Sequence, residues 1–126
     1  MTVHDDPGAV QRGPAIDVEA MSERVAGDTE LVQRLLEHFL EKMDESVEAV
    51  CLAAEEPEGR RVERAAHKFR GAVVTVSAER MAVLLLNMEE AGRRGDVETA
   101  RSFVEEFRTE SVRVKAAVIE VLTTFS

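Results

Sequence analysis

A chain of 126 residues is long enough for one domain with its own core and too short for two of ordinary size. Hydrophobic residues make up 44% of it, with no Trp or Tyr, so the core is expected to be aliphatic with a few Phe and Met. A formal net charge of -9 argues against a protein that neutralises nucleic-acid phosphates or lies on an anionic membrane, and no apolar run is long enough to span a bilayer. A single cysteine, Cys51, forms no internal disulfide and is read as a small buried hydrophobe, so the expectation is a soluble, monomeric protein of the reducing cytoplasm.

Residues 1–15, MTVHDDPGAVQRGPA, contain Pro and Gly breakers and no sustained periodicity, and are expected to be a flexible leader without function. The domain is expected over 16–126. Ile16, Ala20, Met21 and Val25 have the spacing of a short amphipathic helix that ends at Ala26 to Asp28 and covers one end of something larger. With Asp28 or Thr29 as N-cap, a second helix carries Leu31/Val32, Leu35/Leu36, Phe39/Leu40, Met43, Val47, Val50 and Ala54 on one stripe, until Pro57 and Gly59 make a turn.

A third helix is expected from about Arg60 to Val76, with Val62, Ala65/Ala66, Phe69, Ala72/Val73 and Val76 inward. Ser77 is the candidate cap of a fourth helix, whose core side holds Met81, Leu84/Leu85 and Met88. The stretch AGRRGD then reads as a helix stop followed by a new N-cap, Asp96. One last helix runs on through Ala100, Phe103/Val104, Phe107, Ser111, Val114, Val118 and Val121/Leu122. No strand signal competes. Short connections between amphipathic helices force neighbours to run in opposite directions, so the expected fold is all-α, an antiparallel up-and-down four-helix bundle with a short additional N-terminal helix.

The third helix poses a chemical question. At roughly 100° per residue, its apolar residues centre on one side and His67 falls about 160° away, facing solvent. Gly71 at i+4 and Val74 at i+7 continue the same outward line, with Arg64 and Arg70 one turn to either side and Lys68 nearby. A solvent-facing glycine inside a helix costs roughly 0.5–1 kcal/mol relative to alanine and has no core-packing reason, so it reads as clearance for a partner that meets His67, with Val74 as an apolar foothold. From Arg60 to Arg70 there are five basic residues against one acid, whereas from Asp28 to Glu58 there are ten acids against two bases. The positive charge is local, as an anion handled at the imidazole requires. His38 and His4 lack such surroundings and read as solvated side chains.

The segment AAHKFRGAVVTVSAERM resembles the His-x-x-Lys-Gly motif of the histidine-containing phosphotransfer (HPt) domains of phosphorelays, with Arg70 in place of Lys. GDTELVQRLLEHFLEKM is similar to the family's second helix, and LLLNMEEAGRRGD to its L-x-x-L-E-x-x-g-r-x-g-D turn. The resemblance implies an antiparallel four-helix bundle in which His67 takes a phosphoryl group from a receiver-domain aspartate or a hybrid histidine kinase and passes it to another receiver. It further implies that Arg70 contacts the phosphoryl group, that Gly71 gives clearance, and that Glu89 hydrogen-bonds the imidazole. Ala72, Val73 and Val74 replace the small polar residues usual after the glycine, which makes the docking surface more apolar. Mg²⁺ is expected on the partner receiver, and no cofactor or metal on this chain.

For a neutral imidazole to act as nucleophile, its other nitrogen should donate to a carboxylate; Glu89 and Glu63, at i−4 from His67, are the candidates. Neither a Walker A loop nor a GxGxxG is present, so a carrier without intrinsic kinase activity is expected. Two other readings are a bundle of the same shape acting only as an interaction scaffold, and a metal-binding bundle with inward Glu and His; the missing Glu-x-x-His pairs count against the second.

Overall fold

The computed structural model describes residues 13–125. The helices are α1 (Val18–Arg24), α2 (Thr29–Ala54), α3 (Gly59–Thr75), α4 (Glu79–Arg93), α5 (Val97–Ser102) and α6 (Val104–Thr123), and there is no strand among the described residues. Helices α2, α3, α4 and α6 form an up-and-down bundle, with α3 and α4 the most closely packed pair. The fold is the all-α antiparallel bundle that the periodicity predicts.

Helix α2 starts where Asp28 accepts the Leu31 N–H at 3.1 Å, satisfying one of the donors that a helix start leaves free. Its buried residues, Val32, Leu36, Phe39, Met43, Val47, Val50, Cys51 and Ala54, recur at three- and four-residue spacing and so share one face. Phe69, buried on α3, stacks on Phe39 of α2 with centroids 6.0 Å apart and meets Phe107 of α6 edge-on at 6.4 Å. Each such pair contributes roughly 0.5–1.5 kcal/mol beyond its buried area. Together they fix which side of α3 faces inward, and thereby turn His67 outward.

Five expectations need correction. Gly59 is not a turn residue: it is the first residue of α3, buried against Gly92 of α4, and a Cβ on Gly92 would stand 2.6 Å from the Gly59 carbonyl oxygen. The two helices cross there backbone to backbone, which only residues without a side chain permit.

Ser77 does not cap α4. It sits at φ 55, in the left-handed region, and its hydroxyl accepts from Arg24 Nη2 at 2.6 Å; α4 has Ala78 at its N-cap position with no side-chain bond. The same Arg24 nitrogen donates to the carbonyls of Val74 and Thr75 at 3.1 and 2.8 Å, and the Asp17 N–H donates to the Ser77 carbonyl at 3.0 Å. A guanidinium thus fills the role of C-terminal capping donor for α3, and α1 closes that end of the bundle as a lid.

The last helix is two. Asp96 caps α5 through the Thr99 N–H at 3.1 Å, but at Phe103 the chain tightens, with the Phe103 N–H reaching Ala100 O, three residues back, and Ser102 Oγ donating to Thr99 O. No Gly or Pro marks this break.

Ala72, assigned inward, is exposed, so the inner face of α3 is narrower than the periodicity suggests. At the N-terminal side, residues 1–12 of the expected leader lie outside the described residues. Ala15 is buried with Ile16, and the Gly13 carbonyl accepts from Arg113 Nη1 at 3.1 Å. The packed chain therefore begins slightly before residue 16.

Candidate functional site

The approach of α3 and α4 at Gly59 and Gly92 sets the register of everything further along the pair. Eight residues after Gly59, about 12 Å along the helix at 1.5 Å per residue, stands His67; three residues before Gly92 stands Glu89. The His67 side chain is 68% exposed and the Glu89 side chain 4%. They meet at 2.9 Å, His67 Nδ1 on Glu89 Oε2.

Glu89 is a buried carboxylate with cationic partners on both oxygens. Arg70 donates to Oε1 from Nε at 3.2 Å and from Nη2 at 3.1 Å, and Arg93 donates to Oε2 from Nη2 at 3.0 Å. Burial pushes the carboxyl's pKa up, but the hydrogen bonds from His67 and Arg70 and the charge of Arg70 outweigh it, and the net shift is downward. An ionised carboxylate only accepts, so the hydrogen of the shared bond belongs to His67 Nδ1. The Nε2 lone pair then points away from the bundle. That is the tautomer a nucleophilic imidazole needs.

An open cleft of about 480 Å³ lies over the ring, lined by Arg60, Glu63, Arg64, His67, Glu89 and Arg93. Its cationic rim suits an anion brought to Nε2. Of the two candidate orienting acids, Glu89 holds the imidazole; Glu63 accepts from Arg93 Nε at 3.3 Å instead.

Gly71 is exposed, and a Cβ added there would meet nothing within 4 Å. Its carbonyl accepts from Thr75 Oγ1 at 3.0 Å. Val74 is 49% exposed. Arg64 faces both the cleft and a larger groove of about 800 Å³ between α2 and α3, which Lys68 joins only on the groove side. Phe39, Phe69, Ala49, Leu52 and Ala65 contribute to that groove.

The sequence does not single out Arg93, because AGRRGD reads as a helix stop. The available signal was its position four residues after Glu89, one turn along the same face. Among the described residues, no three His, Cys, Asp or Glu side chains converge to hold a metal ion, so the inward donors of a metal-binding bundle are missing there.

The Hpt domain family model matches residues 34–122. This chain belongs to the Hpt domain family. It is a phosphotransfer carrier of two-component phosphorelays, a family whose members interact with receiver domains and histidine kinases. The fold is similar to that of histidine-containing phosphotransfer protein B from Pseudomonas aeruginosa PAO1, with a TM-score of 0.80 at 19% identity over 90% of this chain and 99% of that one. It is also similar to the Hpt domain of a sensor hybrid histidine kinase from Shewanella, with a TM-score of 0.78 at 22% identity over 87% of this chain and 95% of that one. No curated protein matches the chain. No helix among the described residues is long and apolar enough to cross a membrane.

Proposed function

We propose that this Hpt domain carries its phosphoryl group on His67 Nε2, exchanging it with receiver-domain aspartates without kinase activity of its own. One observation carries the reading: the exposed imidazole is bound through Nδ1 to the buried, ionised Glu89, which leaves the Nε2 lone pair facing a cleft rimmed by arginines.

In the transfer step Nε2 attacks the phosphorus of a receiver aspartyl phosphate. The N–P bond forms as the P–O bond breaks, and that bond's electrons leave with the aspartate carboxylate. Nδ1 keeps its hydrogen throughout, so the product is a phosphoimidazolium whose positive charge faces Glu89. Such transfer is governed by positioning and charge stabilisation. Glu89 supplies the first and Arg70, beside the ring, the second; Mg²⁺ belongs to the receiver.

The receiver approaches over Gly71, where the absence of a side chain leaves room, and gains apolar contact from Val74. Arg64 and Lys68 stand at the edge of the α2–α3 groove, where they meet acidic groups of the partner. The chain acts as a monomer, and nucleic acid is no partner for a protein of net charge -9.

The test is phosphoryl transfer from phosphorylated receivers to wild type and His67→Gln. Wild type should take an acid-labile, base-stable label, and the variant none, with its melting temperature within a few degrees of wild type because the ring contributes little packing. A variant that still takes the label assigns the site to another residue.

A further inference from the structure

Glu89 is held by two arginines, and they do not hold it in the same way. Arg93 donates to Oε2, the oxygen that also accepts from His67 Nδ1, whereas Arg70 places both of its bonds on Oε1. Arg93 is in turn tied to α3 through Nε and Glu63 Oε2, so it spans the two helices, and it stands one residue after the Gly92 crossing.

The two arginines face different demands once a phosphoryl group arrives. Arg70 is three residues after His67 on the same helix, one turn along, and a dianion at Nε2 competes with Glu89 for its guanidinium. When Arg70 moves to the phosphoryl oxygens, Oε1 loses its partner. A buried carboxylate stripped of all its cations would take up a proton or swing away, releasing the imidazole.

We propose that Arg93 is a positioning residue for phosphotransfer: it holds Glu89 Oε2 fixed on His67 Nδ1, and so allows Arg70 to exchange Oε1 for the phosphoryl group. This rests on His67 being the phosphorylated residue, but the orientation of the ring can be read without any transfer. Arg93 also lines the cleft over the ring, so its action through Glu89 is read from the tautomer of the unphosphorylated ring, which a contact with the phosphoryl group alone would not set. Arg70, the arginine that exchanges, has a role in charge stabilisation rather than in setting the tautomer.

The test has two arms on the full chain. In the first, the ring ¹⁵N shifts of His67 are read in the unphosphorylated protein, at a pH where the ring is neutral, for wild type, Arg93→Gln, Arg93→Lys and Arg70→Gln. Wild type and Arg70→Gln should show the Nδ1–H form as the major tautomer. Arg93→Gln should lose much of that preference, and Arg93→Lys should recover part of it, since the ammonium restores the charge with less fixed geometry.

In the second arm, transfer from a phosphorylated receiver is followed under single-turnover conditions. Arg93→Gln should slow the transfer step by roughly 10- to 100-fold, as the loss of a group that orients a metal-ligating histidine does. An Arg93→Gln protein with the wild-type tautomer overturns the proposal. So does an Arg70→Gln protein in which the tautomer shifts as far as in Arg93→Gln, because the two arginines would then be equivalent. Label found on a residue other than His67 would instead remove the phosphoacceptor assignment, and the ring measurement would still decide whether Arg93 positions the imidazole.

Discussion

Replacing Gly92 by Ala puts a Cβ 2.6 Å from the Gly59 carbonyl oxygen, 2.7 Å from Val62 Cγ1 and 2.9 Å from the Glu63 N. Two of these three neighbours are backbone atoms of α3, so relief requires the helices to move apart rather than a side chain to rotate. Alanine gains roughly 0.5–1 kcal/mol of helix propensity over glycine, and overpacking of this kind costs about 1–3 kcal/mol. With backbone atoms that cannot rotate away, the upper part of that range, about 2–3 kcal/mol, applies, and with about 1 kcal/mol returned by propensity the net expectation is a loss of about 1–2 kcal/mol. For a domain of this size, 1 kcal/mol corresponds to a shift of about 3–6 °C, so thermal unfolding followed by circular dichroism should show a melting temperature lower by about 3–12 °C. Moving α4 outward also stretches the His67–Glu89 bond, so phosphoryl transfer should slow in the same variant. A rise in melting temperature, as propensity alone dictates, would refute the backbone contact between α3 and α4 and with it the account of how His67 and Glu89 are brought into register.

Gly71→Ala is the opposite case: its Cβ enters open space, so the domain should gain roughly 0.5–1 kcal/mol on propensity. Gly71→Leu should retain or raise the melting temperature while slowing transfer from receivers; an unchanged rate with every receiver tried would show that the glycine is not clearance. The lowered pKa of Glu89 sets the sign of an acid dependence. Because the folded-state value lies below the ordinary 4.5, the stability it brings is fully present above that pH and is lost as pH falls through the folded value. The melting-temperature gap between wild type and Glu89→Gln should therefore shrink from pH 6 to pH 3, and a gap that stays constant would show that the carboxylate's ionisation is not linked to folding.

The parts legible in the sequence are those with a periodic signal. Buried residues on α2 recur every three or four positions, and the same arithmetic turns His67 away from Phe69, because one helix face can answer to only one core. Glu89 was reached through the family motif and not through the wheel: a lone Glu between Met88 and Glu90 gives no sign that it is buried, since its burial depends on cations from α3 and from its own helix. Arg93 was hidden for a related reason, as an arginine beside a helix stop looks like any solvated C-terminal base. Gly59 and Gly92 look like punctuation in the sequence because glycine has one letter for two uses, the turn and the close crossing. Ser77 looks like a cap because a serine before a helix usually is one, and nothing local announces that Arg24, 53 residues earlier, donates to its hydroxyl.

The groups that meet His67 come from α3 and α4 alone, whereas one wall of the adjoining groove belongs to α2. Part of the surface beside the nucleophile is thereby supplied by a helix that makes no bond to it. Exposed residues of α2 such as His38, Lys42 and Glu45 line the groove without touching the imidazole, Glu89 or either of its arginines. Substitutions there should change receiver preference while leaving the His67–Glu89 pair as it is, which transfer rates measured with a panel of receivers would check. A lineage that duplicates such a carrier can rewire it by drift along a single helix, and an engineer can do the same by grafting the outer face of α2 from one relay onto the α3–α4 pair of another.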